Sequence, residues 1–439
     1  MTTGNWLRRL LGVGAPQAAL APAPVRARAP VAAAPAVGAP APAFFGKRSP
    51  LVDGKGRVAG FELKLPLALE LRFVSQPNAP QAAAQHLALL ASAGSLARSG
   101  LTPVVPMPSG LLAREQVVEA VPAGIWLLLD RHAALPPPVV VALRGRGVRL
   151  GTWDGPPRRD PAIDFVAARA AAGGVDTLQL SAQRWSEAIP KVRMVALDVQ
   201  SLSDLELVLR SGYSLAGGRL GREGLVQNPR PLGAAAHRIC ELINHLALDR
   251  DTALISQAVQ GDAVLSYRLL RYANSPAIGL AQPVEAIDAA LAILGRAELG
   301  RWLSVMLLSA ASGRQAAAAV QSQALATGRM FELLARDRGE PAPEVLFTLG
   351  LLSQLHLLLE LPMQAALEPL RLSEPLRQAL LDHSGPWAAY LTLAGELEGD
   401  DEATAERAAV PFGGLAAVMA HAETAWDWAR DVTGSLSTG

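Results

Sequence analysis

Cysteine is almost absent from this chain, since Cys240 is the single one among 439 residues. One thiol excludes an internal disulfide framework and any zinc site built from several cysteines. We therefore expect the protein to work in a reducing compartment, which predicts the cytoplasm. Charge of one sign is also lacking: the formal net charge is +1. Such a balanced chain has no overall positive field for DNA or RNA, so we expect no nucleic-acid partner.

Long hydrophobic runs are missing as well. The strongest candidate, residues 345–361, is interrupted by Gln354, His356 and Glu360 and falls short of a membrane-spanning helix. Near the N-terminus an arginine pair precedes an apolar run of only residues 10–13, which is too short for a signal peptide. The sequence therefore predicts no transmembrane segment.

Patterns typical of hydrolases are not found either. The sequence contains neither HExxH nor GxSxG, the spacings that mark zinc peptidases and serine hydrolases of the α/β class. His237 and His245 lie eight residues apart, and His383 and His421 stand alone. No constellation of histidine with serine or acidic residues indicates a catalytic centre.

What the chain does have is a clear change of composition along its length. Residues 1–43 are rich in Ala and Pro and carry arginines but no acidic residue. Such a segment cannot bury a core, and we predict a disordered basic tether. Residues 1–12 offer a second interpretation, because their short amphipathic pattern suits docking to a protein partner or an anionic membrane surface.

Residues 44–230 alternate short apolar runs with helical stretches, which predicts a parallel α/β fold and favours a βα barrel. The runs that we interpret as strands are residues 56–65, 101–107, 124–129, 147–153, 175–180 and 192–197. From 231 to 430 apolar residues recur at helical spacing, so we expect an all-helical domain. The polar residues 431–439 are predicted to be a flexible tail.

The most informative segment, residues 262–295, reads DAVLSYRLLRYANSPAIGLAQPVEAIDAALAILG. Asp262 is a good N-cap for a helix that should end at Asn274-Ser275, because the following proline disfavours helical backbone before it. A second helix is predicted to begin near Val284, with Gly295 as its C-cap. The structural alternative is an ordinary helix–loop–helix corner.

This order of residues resembles the signature of the HDOD family, a non-catalytic relative of the HD phosphohydrolases in bacterial signalling proteins. The matching positions are Asp262, Asn274, Ser275, Pro283, Leu294 and Gly295. The resemblance implies a role in signalling and no reaction at this site. Arg268, Arg271 and Tyr272 flank the corner and are interpreted either as partner contacts or as the polar face of the helix.

Residues 50–63, PLVDGKGRVAGFEL, resemble the first motif of EAL domains, the cyclic di-GMP phosphodiesterases, and the likeness extends weakly over 44–230. The resemblance implies two divalent ions held by Asp, Glu and Asn oxygens, with a Lys that helps to activate water. Glu62 matches the motif glutamate. Asp130, Asp154 and Asp198 are interpreted as remnants of the other ligands, or else as solvated carboxylates at loop ends.

The other positions that the EAL resemblance implies carry unsuitable residues. Pro66 stands where a phosphate-binding Arg is expected, residues 104–110 contain no Asn, and Asp154 has no paired Asp. The strand expected to hold a Lys and an Asp corresponds to residues 178–181, LQLS, which have neither. We therefore expect a degenerate EAL-like domain without metal, cofactor or catalytic residues.

The helical half lacks the metal pair of an active HD enzyme in the same way. Gly350-Leu351-Leu352 is followed by Ser353-Gln354 where the resemblance implies a His-Asp pair. A hydroxyl and an amide are weak ligands for a transition metal. His356 lies among leucines, which is typical of a core or interface histidine.

Together these patterns predict a non-catalytic signalling scaffold or adaptor, an EAL-like α/β domain followed by an all-helical HDOD domain. The expected partner is another protein. The alternatives are a cyclic di-GMP receptor without turnover, and a residual cyclic di-GMP phosphodiesterase or HD-type metal phosphohydrolase.

Overall fold

The computed structural model describes residues 46–66, 80–130, 135–154, 163–170, 174–218, 220, 232–274, 278, 280, 282–311, 315–399 and 401–436. The predictions made for residues 1–43 and for Ser275 lie outside these ranges.

A closed barrel of eight strands forms the first domain. The strands are β1 (Lys47–Asp53), β2 (Val58–Lys64), β3 (Thr102–Met107), β4 (Trp126–Leu129), β5 (Arg149–Trp153), β6 (Phe165–Arg169), β7 (Arg193–Leu197) and β8 (Leu215–Gly217). β1 is antiparallel to both β2 and β8, and the other neighbours are parallel. The carboxyl ends of seven strands therefore meet at one rim, where β1 begins.

Helices cover the barrel between these strands. They are α1 (Pro80–Arg98), α2 (Glu115–Ala120), α3 (Pro137–Gly145), α4 (Gly174–Ala188) and α5 (Leu202–Arg210). On β2, Phe61 and Leu63 pack outward against α1, and Glu62 alternates with them toward the barrel interior. The interior is filled mainly by large apolar side chains such as Val104, Trp126 and Phe165.

Residues 175–180, predicted as a strand, lie instead in helix α4, so that prediction is wrong. Leu178, Ala182 and Trp185 recur at helical spacing on this helix and are buried together. The missing strand is β6, whose Phe-Val-Ala-Ala run is buried on both faces and shows no alternation. The seven-residue β1 and the three-residue β8, which close the barrel, were not predicted.

The second domain is helical throughout its described residues, as predicted. Its helices are α6 (Ala234–Ala247), α7 (Thr252–Gln260), α8 (Ala263–Ala273), α9 (Ile287–Ala311), α10 (Ala318–Asp337), α11 (Pro343–Leu352), α12 (Leu355–Leu359), α13 (Met363–Leu367), α14 (Glu374–Asp382), α15 (Ala388–Glu398), α16 (Glu402–Ala409) and α17 (Leu415–Leu436). The last helix continues six residues beyond Arg430, into the segment predicted to be flexible. Among the helices described, none combines the length and apolar character needed to cross a membrane.

Helix α10 is the centre of this domain and packs along α11 at a very short distance. A Cβ added to Gly350 of α11 would lie 2.5 Å from the Gly328 Cα of α10. A Cβ on Gly328 would meet the Phe347 carbonyl oxygen at 2.8 Å. The two glycines therefore permit an approach that any side chain would prevent.

The same helix carries a buried carboxylate surrounded by arginines. Glu332 accepts two hydrogen bonds from Arg301 of α9, at 2.8 and 3.1 Å. Arg329 and Arg336 each donate to it at 2.6 Å. Because Glu332, Arg301 and Arg329 are all buried, each charge depends on the others to offset its loss of water.

One of the hydrophobic clusters spans the barrel and the helical domain. A single cluster of buried residues includes Val52 of β1 and Leu205 of α5 together with Leu303 of α9 and Phe347 of α11. Polar contacts reinforce this junction. The Ser203 amide and hydroxyl both donate to the Glu360 carboxylate at 3.0 Å.

We predict that Gly350→Ala lowers the free energy of unfolding by about 1–3 kcal/mol, because the added methyl forces α10 and α11 apart. Urea denaturation measures this change. Gly395→Ala in α15 is the matched control, since a Cβ there has no atom within 4 Å. The control is expected to be neutral or to stabilise by up to about 1 kcal/mol. Equal effects of the two substitutions would contradict the close packing described.

Candidate functional site

The rim formed by the strand ends brings together two of the carboxylates singled out in the sequence, Glu62 and Asp198. Between them lies the ammonium group of Lys64, whose Nζ is 3.1 Å from Asp198 Oδ1 and 3.9 Å from Glu62 Oε1. Glu62 and Lys64 are two residues apart on β2 and therefore share its inner face. Asp198 follows β7 with a positive φ of 56°, a backbone conformation that Asp tolerates better than most residues.

A second cation contacts the same aspartate. Arg169, the last residue of β6, has its Nε 3.3 Å from Asp198 Oδ2. Its guanidinium carbon lies 4.4 Å from the ring centroid of Trp153, at the end of β5. The rim therefore presents an arginine stacked on an indole, next to a carboxylate already paired with lysine.

The other two predicted carboxylates, Asp130 and Asp154, follow neighbouring strands. Asp130, which follows β4, accepts from the Ser109 amide at 2.8 Å and from its hydroxyl at 3.1 Å. It thus caps the 3-10 turn at residues 109–111. Asp154 follows β5 in the left-handed region with a φ of 54°, and its amide donates to the Ala167 carbonyl.

These residues do not fit a pair of divalent cations. Such ions need several oxygens free to turn toward them, but Lys64 lies close to both Glu62 and Asp198, and Arg169 contacts Asp198 as well. Within the part of the chain that the structure describes, no group of three or more His, Cys, Asp or Glu side chains is placed to hold a metal ion.

At the signature corner Asp262 caps helix α8 as predicted. Its Oδ1 accepts from the amides of Val264 and Leu265, both at 3.0 Å, and its Oδ2 accepts from Arg238. The Leu265 amide and Arg238 hold the pKa of this carboxyl below its ordinary value. The acidic residue is therefore a structural cap that also ties α8 to α6.

Asn274 forms a bridge across the loop that follows α8. Its Nδ2 donates to the Val284 carbonyl at 2.7 Å, and its Oδ1 accepts from the Val284 amide at 2.6 Å. An amide side chain can donate and accept at once, which is why Asn suits this position. Asn244 of α6 does the same for another loop, with Pro369 and Arg371 as its backbone partners.

The second signature helix begins at Ile287, three residues after the predicted Val284. Its helical backbone is interrupted at Gly295, the residue predicted to end it, which adopts φ 69° and ψ 173°. Beyond this kink the chain returns to helix until Ala311. Leu294 precedes this kink and packs against the core. The glycine is therefore needed for the kink, because other residues rarely adopt this backbone.

Tyr272, one of the flanking residues, does not face a partner. It is buried, and its hydroxyl donates to Glu298 at 2.8 Å just after the kink. Burial and the Glu298 charge raise the pKa of Tyr272 well above its ordinary value. Arg268 and Arg271 are exposed on the other side of α8, which agrees with a polar helix face.

The position of the HD metal pair is equally unsuited to a metal. The Ser353 hydroxyl donates to the Gly350 carbonyl at 2.8 Å. Gln354 Oε1 and His356 Nδ1 are buried without a hydrogen-bond partner among the described residues. Burial lowers the pKa of His356, so its imidazole stays neutral near pH 7. One imidazole beside a hydroxyl and an amide is a poor donor set for a transition metal.

Sequence reasoning missed the two cations of the rim. Lys64 could have been predicted, because its spacing of two residues from Glu62 places both side chains on one face of a strand. Arg169 was missed because the strand was predicted at residues 175–180 instead of at β6, which ends at Arg169. On the correct strand, Ala167 and Arg169 stand near the rim, so the Lys and Asp implied by the EAL resemblance are absent there too.

Comparison with protein families places the signature corner in a known domain. Residues 231–370 match the family model of the HDOD domain. This range contains the signature corner and the Ser353-Gln354 position, so the resemblance found in the sequence is confirmed for the helical region.

Individual proteins give further similarities. Protein YuxH of Bacillus subtilis is 25% identical over 210 residues, which is 47% of this chain and 51% of YuxH, so the match spans about half of that relative. A PaMucR phosphodiesterase in complex with c-di-GMP aligns at 15% identity and TM-score 0.33, over 41% of this chain and 96% of its own. The FimX EAL domain of Pseudomonas aeruginosa, bound to c-di-GMP, aligns at 14% identity and TM-score 0.33, over 40% and 88%.

We predict that Asn274→Ala lowers the free energy of unfolding by about 1–3 kcal/mol, because two hydrogen bonds to Val284 are lost. Asn274→Asp keeps the acceptor but loses the donor, so its free energy of unfolding should lie between those of the wild type and Asn274→Ala. Chemical denaturation gives both values, and Gln257→Ala on the exposed face of α7 serves as control. If Asn274→Ala is as stable as the control, the bridge does not hold the corner together.

Proposed function

We propose that this protein is a non-catalytic signalling adaptor, in which an EAL-like barrel and an HDOD domain act through contacts with another protein. The observation that carries this proposal is the placement of Lys64 between Glu62 and Asp198. A side chain of the protein itself supplies the positive charge that a metal-dependent phosphodiesterase takes from its ions.

Electrostatics favours this lysine over a metal ion. Lys64 is buried beside Glu62 and close to Asp198, so its ammonium group already offsets their negative charges. A divalent ion would have to displace the ammonium, and Arg169 would then remain close to it as a like charge. The barrel therefore lacks the means to bring two metal ions to a phosphodiester.

The helical half supports the same proposal by a separate route. Ser353, Gln354 and the neutral His356 stand where an HD phosphohydrolase would bind its metals. The thiol of Cys240 offers no alternative nucleophile, because burial raises its pKa to about 11. Among the described residues, we therefore expect neither domain to supply an activated water or nucleophile.

A contact role is supported by exposed apolar side chains on the first signature helix, α8, and on the preceding helix α7. Val264 and Tyr267 of α8 are 62% and 64% exposed, and Leu254 of α7 is 47% exposed. Large apolar groups on a surface often mark sites of protein association. Arg271 lies over the Tyr267 ring and adds a positive edge to this surface.

The first test is an assay of the full-length protein with cyclic di-GMP and Mg²⁺ or Mn²⁺, with an active EAL phosphodiesterase assayed in parallel. We expect no linear dinucleotide above the level without protein, because the metal site is occupied by Lys64. Metal-dependent turnover that disappears in Glu62→Gln would refute the proposal and restore the phosphodiesterase alternative.

A second candidate function, a cyclic di-GMP receptor without turnover, is favoured by the stacking of Arg169 on Trp153 at the rim. A guanidinium and an indole both suit the base and phosphate of a nucleotide. Calorimetric titration separates the two functions. Saturable heat with the wild type that is lost in Trp153→Ala would favour the receptor, and no heat is expected of the adaptor.

The adaptor proposal also predicts that a negative charge introduced on the exposed face of α8 weakens the binding of a partner protein. Tagged wild-type and Val264→Asp proteins are cross-linked and purified from the native cell, with Val141→Asp as control. Val141 of α3 is 72% exposed and lies on the barrel, far along the chain from α8. We expect a partner that the wild type and the control recover and Val264→Asp does not. Identical partner sets for all three would count against this surface.

A further inference from the structure

A cavity opens where the barrel meets the helical domain. It encloses about 950 Å³, including the part open to solvent. One wall is the start of β1, residues 46–49, together with Gly218 after β8. The opposite walls come from α10, α15 and α17. The cavity therefore exists only when both domains are present and joined, which is a common location for small-molecule sites.

Most of the lining is apolar and polarizable. Met330 of α10, Leu397 of α15, and Met419 and Trp426 of α17 line it. Phe61 of β2 meets the Trp426 ring edge-on, with centroids 5.4 Å apart, which holds the indole in place. Methionine sulfur and an indole ring both interact favourably with flat aromatic groups.

The charged side chains of the lining balance one another. Lys47 and Arg48 come from the barrel, and Glu398 and Glu423 come from the helical domain. Arg48 pairs with Glu423 across the junction, and Glu398 accepts from Gln323 at 2.5 Å. An ionic ligand would gain no excess of opposite charge here, so the lining suits a neutral molecule.

One polar group of the lining, the Nε–H of Arg48, has no hydrogen-bond acceptor within the described residues. Arg48 donates from Nη2 to Ser92 at 2.8 Å and to Glu423. Its Nε is buried and has no hydrogen-bond partner within the described residues. Buried donors in folded proteins are nearly always satisfied, so a ligand with an acceptor would complete this site.

We infer that the cavity binds a neutral, planar aromatic molecule that carries a hydrogen-bond acceptor. The ring packs between Met330 and Trp426, and the acceptor receives the Arg48 Nε–H. Because its walls belong to both domains, an occupied site strengthens the junction between them. This inference does not depend on the proposed adaptor function: the cavity lies beside the same rim, but the charged cluster of Glu62, Lys64 and Asp198 does not line it.

The probe for the test is 6-propionyl-2-(dimethylamino)naphthalene, which is neutral and planar and carries a carbonyl acceptor. With the full-length protein we expect saturable binding, seen as a shift of its fluorescence to shorter wavelength, and a rise in melting temperature. Ala394→Phe and Ala422→Phe each place a ring in the cavity from a different helix. Both should weaken binding more than about tenfold, because the added ring takes the space of the probe.

Two controls make the result specific. Ala258→Phe adds the same ring on the exposed side of α7 and should bind as the wild type does. Arg48→Lys keeps the charge near Glu423 but removes the Nε–H, and it should weaken binding about tenfold. Circular dichroism and melting curves establish that each variant is folded.

No saturable shift with the wild type would overturn the inference, as would unchanged binding by whichever cavity-filled variants are folded. A probe that binds the wild type and Arg48→Lys equally would overturn the assigned acceptor contact. None of these results bears on hydrolysis of cyclic di-GMP, so the two proposals fail independently.

Discussion

Burial of helix α10 is the constraint on which the rest of the helical domain depends. Its carboxylate Glu332 holds Arg301, Arg329 and Arg336, and removal of that one negative charge would leave buried cations with nothing to offset their dehydration. One turn away, Gly328 allows α11 to approach as closely as backbone permits. Gln323, Ala326, Thr327 and Met330 of the same helix line the cavity beside β1. A single element thus fixes the charge network, the packing of the core and the position of the barrel.

The two positions that resemble enzyme centres differ in their electrostatics. At the barrel rim, carboxylates lie beside cations of the chain: Lys64 lies between Glu62 and Asp198, and Arg169 adds a second contact. The Ser353-Gln354 position carries a hydroxyl and an amide instead. There Gln354 Oε1 and His356 Nδ1 are buried without a hydrogen-bond partner among the described residues. The rim is therefore a cluster of opposite charges, whereas the helical position consists of neutral polar groups.

Much of this could be predicted from sequence, and the failures have physical causes. The cap at Asp262 and the end of its helix at Asn274 follow from local chemistry, and both are found. Strand β6 was missed because a fully buried strand shows no alternation, while residues 175–180 of α4 mix apolar and polar side chains as a half-buried strand does. The interruption at Gly295 was predicted, but the return to helix after it was not. The contact of Lys64 with Asp198 joins residues 134 positions apart at the ends of strands that are not neighbours, and only the closed barrel brings them together.

The shared core described for the two domains has a consequence for how the protein changes over time. Because Val52 and Leu205 of the barrel pack in the same cluster as Leu303 and Phe347, the halves should melt as one cooperative unit. The barrel is then needed for stability, since its deletion would expose apolar surface of the helices it covers. Selection on the helical domain alone is enough to preserve the fold of the barrel, whatever chemistry its rim supports.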